Sequence, residues 1–174
     1  SQAILYLNGS QVNTYSTEGT YTETITVTSD GVYNITLWAV DNAGNENSIT
    51  IHVTVDTTPP DIQITDPTDG AYLNTSTVTV TWTASDALTG VDYFKIYLDG
   101  GYVDQVPADT TSYTLSLDEG QHIIRVEAYD VAGNMGYDEI TITIDLTAPT
   151  LTITSPSDGE TVAASDVTVE WNGN

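Results

Sequence analysis

Along most of the chain, apolar and polar side chains alternate with a period of two. Val78, Val80, Trp82 and Ala84 take one side, while Thr77, Thr79, Thr81 and Thr83 take the other. Ile140, Ile142 and Ile144 alternate in the same way with Thr141 and Thr143. Successive side chains of an extended strand point to opposite faces, so this pattern predicts half-buried antiparallel strands. β-branched threonine suits the exposed face. No stretch carries a helical stripe. Between residues 56 and 145 the alternation predicts seven strands. A is Asp61–Thr65, with a turn at Pro67–Gly70 after it, and B is Thr77–Ala84. C is Tyr93–Leu98, leading into a hairpin turn at Asp99-Gly100-Gly101, and a short D is Tyr102–Val106. E is Ser112–Leu117, F is His122–Tyr129 and G is Glu139–Asp145. Short strands with turn signals at regular spacing predict an all-β antiparallel sandwich.

The alternation itself recurs. Asp56-Thr57-Thr58-Pro59-Pro60 returns as Asp145-Leu146-Thr147-Ala148-Pro149, and Asp41–Asn45 returns as Asp130–Asn134. Val78–Trp82 returns as Val167–Trp171, and the pair Pro67 and Gly70 as Pro156 and Gly159. Each copy stands 89 residues after its original. Several independent anchors at one offset mark a tandem repeat. Residues 1–55 then read as strands C to G of one domain, 56–145 as a complete domain, and 146–174 as strands A and B of another. These two half-domains are complementary. The first leaves its core side open along Leu5, Leu7, Ile35 and Leu37; the second along Leu151, Ile153, Val167, Val169 and Trp171. An isolated two-stranded piece is not stable in water, and burying each such side chain contributes about 1.5–3 kcal/mol. The expected partner is another copy of the chain, joined head to tail by strand donation.

Charge narrows the partners further. Two Lys or Arg stand against 25 Asp or Glu, a formal net charge of −23. A phosphate backbone would be repelled, so nucleic acid is excluded as a partner. No apolar run approaches the ~20 residues that cross a bilayer, and no basic-then-apolar leader stands at Ser1, which suggests a mature or excised product. Cysteine is absent, so no disulfide braces the fold. Sequons at Asn8-Gly9-Ser10, Asn34-Ile35-Thr36 and Asn74-Thr75-Ser76 mark candidate glycosylation sites and an extracellular or cell-surface location. Charge of this density must be spread out, screened or neutralised by bound cations. Carboxylate and carbonyl oxygens suit Ca²⁺.

The Asp56–Pro60 linker, Pro67 with Gly70, Trp82-Thr83-Ala84-Ser85-Asp86, Gly90-Val91, Tyr97-Leu98-Asp99-Gly100 and Asp130–Asn134 together resemble the tandem immunoglobulin-like repeats (Big-type) of bacterial and archaeal surface proteins. The resemblance implies immunoglobulin-like sandwiches serving as stalks, adhesins, sheaths or enzyme appendages. A looser similarity is to cadherin repeats, in the Ala-x-Asp of Ala128-Tyr129-Asp130 and Ala39-Val40-Asp41 and in the two Asp-to-Pro linkers. In cadherins such residues bind Ca²⁺ between domains. In an immunoglobulin-like sandwich, the B–C and F–G loops lie where strand A enters. This would gather Asp56, Asp86, Asp130 and Asn134 at one junction, with Asp145, Asp41 and Asn45 as the matching set at the next once a neighbouring copy completes the domain. The other reading of Asp41 and Asp130 is that they cap tight turns in which Gly44 and Gly133 supply positive φ.

Catalytic signals are sparse. His52 and His122 lie in strand patterns with no nucleophile nearby in sequence, and no glycine-rich phosphate loop appears. No enzyme is expected. Lys95 falls on the outward side of strand C, and Trp38 occupies an outward strand position where an aromatic ring could stack on a glycan or a neighbour. The expected function is a non-enzymatic subunit of an extracellular filament or surface rod, stiffened by Ca²⁺. The alternatives are an adhesin or carbohydrate-binding module of a larger secreted or surface protein, or an accessory region of a secreted hydrolase.

Overall fold

Asn8-Gly9 and Asp99-Gly100 set the register of two hairpins. In the computed structural model, which describes residues 1–16, 19–163 and 165–174, these pairs have φ of 49° and 80° and of 51° and 79°. Two consecutive left-handed residues make the tight turn whose twist matches that of paired strands, and Asn, Asp and Gly tolerate it. Leu7 therefore pairs with Ser10, and Leu98 with Gly101.

The first hairpin is β1 (Gln2–Leu7) and β2 (Ser10–Tyr15); β3 (Gly31–Val40) and β4 (Glu46–Val55) extend it into an antiparallel sheet of order β2-β1-β3-β4. The middle of the chain supplies β5 (Asp61–Asp66), β6 (Tyr72–Leu73), β7 (Thr77–Ser85) and β8 (Val91–Leu98). It continues with β9 (Gly101–Pro107), β10 (Ser112–Ser116), β11 (Gly120–Asp130) and β12 (Met135–Ile144). Last come β13 (Leu151–Ser155) and β14 (Glu170–Gly173), which pair with each other. Among the described residues, no helix is long and apolar enough to cross a membrane.

The middle strands form a sandwich of two sheets, β10-β7-β5 and β6-β12-β11-β8-β9. The period of two turns Ile62, Ile64, Val78, Val80, Trp82 and Leu115 inward from one sheet. Phe94, Ile96, Ile124, Val126, Ala128, Ile140 and Ile142 meet them from the other. Trp82 packs edge-on against Phe94, with ring centroids 5.4 Å apart. Apolar faces that cannot be covered within one sheet are buried between two.

Two details are added to the sequence reading. The strand expected as D, β9, follows the expected hairpin turn, pairs with β8 and lies at the edge of the larger sheet. Its two-residue turn leaves no length for the chain to cross to the other sheet. Strand A also splits: after Pro67 the chain crosses over, and β6 runs parallel to β12, with Thr143 N–H donating to Ala71 O at 2.8 Å and Asp145 N–H to Leu73 O at 2.9 Å.

The pairings at the two ends copy those of the middle. Leu5 faces Leu37 and Leu7 faces Ile35, as Ile96 faces Val126 and Leu98 faces Ile124. Ile153 faces Trp171 as Ile64 faces Trp82. Their burial does not copy the middle. Leu37, Ile49, Ile51 and Val53 of the first sheet are exposed, and so are Leu151, Ile153, Val167, Val169 and Trp171. The first sheet's apolar face forms a groove of about 510 Å³ along Ala3, Leu5, Ile35, Leu37 and Ala39, flanked by Tyr15 and Ile25.

Candidate metal centre

Three loops meet where β5 enters the sandwich. The first follows β11. There Asp130 closes a turn on Asn134, whose backbone N–H donates to Asp130 Oδ1 at 2.8 Å and whose Nδ2 donates to Oδ2 at 2.7 Å. Gly133 takes the required positive φ of 94°. The second follows β7, where Asp86 Oδ1 accepts the N–H groups of Leu88, Thr89 and Gly90 at 3.1, 2.9 and 2.7 Å. These bonds, that from Gly90 foremost, hold the Asp86 carboxyl below the usual carboxylate range. The third is the linker, where Asp56 accepts from Thr58 N–H at 3.2 Å and from Thr89 Oγ1 at 2.6 Å. Asn134 Nδ2 also donates to the Asp56 carbonyl at 3.1 Å, tying the linker to the β11–β12 turn.

Carboxylate oxygens of Asp56, Asp86 and Asp130 consequently lie within 4.8 Å of one another. Asp130 is 2% exposed and Asp56 9%. The protein's two basic side chains are engaged elsewhere. Lys95 Nζ sits 4.7 Å from the Tyr129 ring centroid, and Arg125 pairs with Glu127 at 2.8 Å while covering the Tyr137 ring. Three close carboxylates repel one another unless a cation or protons neutralise them, and burial strengthens that repulsion. Oxygen-only donors of this kind suit Ca²⁺, which takes 6–8 of them at 2.3–2.6 Å as a general rule.

A fourth acid, which the sequence reading missed, braces the junction. Asp30 Oδ1 accepts from Thr57 N–H at 3.0 Å and Thr57 Oγ1 at 2.9 Å, and Oδ2 accepts from Thr58 Oγ1 at 2.6 Å. The Thr58 bond leads in holding its carboxyl below the usual range, with Asp86 opposing weakly through its charge. One signal could have revealed it. Glu119 stands 89 residues on and accepts from Thr147 Oγ1 at 2.9 Å, as Asp30 does from Thr58.

The second expected set spans two copies of the chain, and within one chain its members keep to their own loops. Asp41 closes its own turn on Asn45, with the same two bonds at 2.9 and 2.7 Å, and Asp145 accepts only the Thr147 N–H at 3.1 Å. Among the described residues, Asp56, Asp86 and Asp130 are the one group of three acids placed to share an ion. The turn-capping role expected of Asp41 and Asp130 is therefore present at both loops.

The remaining singled-out residues lie on surfaces. Asn8, Asn34 and Asn74 are exposed; Asn8 Oδ1 accepts the Asn34 N–H at 2.8 Å, and Asn34 Oδ1 lies 2.6 Å from His52 Nδ1. His122 is held between Asp99 Oδ2 at 2.9 Å and the Asp118 carbonyl at 3.1 Å.

Known proteins resemble this chain. A family model described as glucodextranase, domain B, matches residues 60–146. Chitinase A1 of Niallia circulans is 30% identical over 149 residues, 82% of this chain and 21% of its own length. Bacillopeptidase F of Bacillus subtilis (strain 168) is 27% identical over 128 residues, 74% of this chain and 9% of its own. The chain thus spans about a fifth and about a tenth of these relatives. Among solved structures, fibronectin(III)-like modules of CbhA from Clostridium thermocellum align at a TM-score of 0.50 and 26% identity, over 83% of this chain and 77% of that one. The fold is a fibronectin-III-like or immunoglobulin-like β-sandwich.

Proposed function

The chain belongs to the glucodextranase domain B family, and on that premise we propose that it is a non-enzymatic, extracellular structural segment. It acts as a rod of sandwich domains, completed head to tail by strands of a neighbouring copy and stiffened at its junctions by Ca²⁺. The observation that carries the reading is the match between its two open faces. In the middle sandwich, β5 and β7 lay Ile62, Ile64, Val78, Val80 and Trp82 onto β8, β11 and β12. Leu151, Ile153, Val167, Val169 and Trp171 offer the same pattern 89 residues later. Ala3, Leu5, Ile35, Leu37 and Ala39 offer a receiving sheet of the same strand order.

Such a contact joins two different surfaces of one chain, so it propagates as an open fibre unless a ring closes. Strand donation gains affinity from main-chain pairing and register from alternate side chains. The three carboxylates at the linker support a divalent ion as the junction's stiffener. The surface sequons and the likeness to a chitinase, named for a polysaccharide, support a place outside the cell. Sedimentation velocity over a concentration series, with electron microscopy of the same samples, tests the reading. Open-ended growth is expected. A sample that stays monomeric at high concentration, with β13 and β14 protected from hydrogen exchange, would show that the two faces do not complete each other.

A further inference from the structure

The opposite face of the first sheet carries a different surface. Across β1, β3 and β4, Ile4 pairs with Trp38 and Trp38 with Ser48, while Tyr6 pairs with Thr36 and Thr36 with Thr50. Trp38 and Tyr6 are thus diagonal neighbours, roughly 7–8 Å apart by sheet geometry. With Gln2, Thr36 and Ser48 they line a shallow depression of about 530 Å³. Thr36 and Thr50 share a hydroxyl hydrogen bond of 2.8 Å, and the Trp38 indole N–H makes only a long 3.4 Å contact to Glu46.

The middle sandwich has the corresponding place, and there it is filled. Tyr97 and Gly100 correspond to Tyr6 and Gly9 after the matching hairpin turns, while Arg125 and Glu127 stand 89 residues after Thr36 and Trp38. Arg125 bonds Glu127 and stacks on Tyr137, leaving a depression of about 180 Å³. In the first sheet both charges are replaced, by a hydroxyl and an indole. What remains is an aromatic plate ringed by hydroxyl and amide groups, with the Glu46 carboxylate at its edge.

We propose that this outer face binds a neutral polysaccharide, with Trp38 and Tyr6 stacked on the C–H faces of its sugar rings. The chemistry selects that ligand class. Anionic polymers are repelled by a chain of net charge −23. A protein strand finds no free main-chain groups here, because those of β1 and β3 are committed to the ladders on either side. A sugar chain needs none: its rings stack on aromatic side chains while its hydroxyls exchange bonds with Thr36, Ser48 and Gln2. The face lies on the side of the sheet away from the apolar groove, so it stays available whether or not copies assemble.

Affinity electrophoresis in native gels tests this, with hydroxyethylcellulose, soluble starch, dextran or glycol chitin cast into the gel. The Trp171→Ala background keeps growth of the chain from affecting mobility. At least one polymer is expected to retard the protein. Trp38→Ala should weaken that binding about tenfold, as for a central aromatic anchor, and Tyr6→Ala should weaken it less. Ser48→Arg, which crowds the plate without touching the core, should weaken it too. Tyr137→Ala on the middle sandwich should leave it unchanged. Free mobility in all four gels would overturn the proposal. So would retardation that Trp38→Ala and Ser48→Arg leave intact.

Discussion

Trp82 and Trp171 hold the same pairing position, opposite Ile64 and Ile153, yet 2% of the first and 67% of the second is exposed. One indole is surrounded by a second sheet and the other is not. The same substitution should therefore have two different effects. Trp82→Ala empties a filled core and should cost about 3–5 kcal/mol in urea unfolding of the middle sandwich. Trp171→Ala should leave that transition where it is and instead shift the concentration at which copies associate.

Calcium should raise the melting temperature through the linker. An ion that binds only the folded state at a hundred times its dissociation constant adds about 2.7 kcal/mol. Asp56→Asn should abolish most of the shift, since its amide still meets Thr89 Oγ1 but the carboxylate charge is gone. Lys95→Ala, which removes an ammonium seated over the Tyr129 ring and not one of the three acids, should keep it. Equal melting curves in Ca²⁺ and in chelator would remove the ion from the account.

Gly136 is fixed by its neighbour across the linker. A methyl group there would stand 2.1 Å from the Pro60 carbonyl oxygen, closer than backbone can accommodate without moving. Gly136→Ala should destabilise the sandwich by about 1–3 kcal/mol, the usual cost of overpacking. It should also displace the segment that carries Asp56. A calcium-dependent shift surviving at full size in this variant would uncouple the linker from the ion.

His122 supplies a pH dependence with a defined sign. Both its ring nitrogens face acceptors, so the doubly protonated ring is favoured, and the Asp99 bond leads in raising its pKa. A group whose pKa rises on folding contributes stability that is complete below the ordinary imidazole value of about 6.5. That contribution is lost as the pH climbs through the raised value. The melting temperature should fall across this window, and the fall should shrink in His122→Gln. Following the His122 ring protons by NMR should give a midpoint above the ordinary one, moved back by Asp99→Asn.

The sequence by itself determined the strands and much of their pairing, because those depend on local chemistry. Period-two alternation marks which side chains of β7 and β12 face inward, and Asn8-Gly9 and Asp99-Gly100 dictate two-residue turns. The strand order expected of an immunoglobulin-like sandwich placed Asp56, Asp86 and Asp130 on the loops that meet. Tertiary structure decided the rest. It carried β6 across to β12. It also brought Asp30 onto Thr57 and Thr58. Neither of these has a local signature, since each arises from segments far apart in the chain that meet only when the sheets pack.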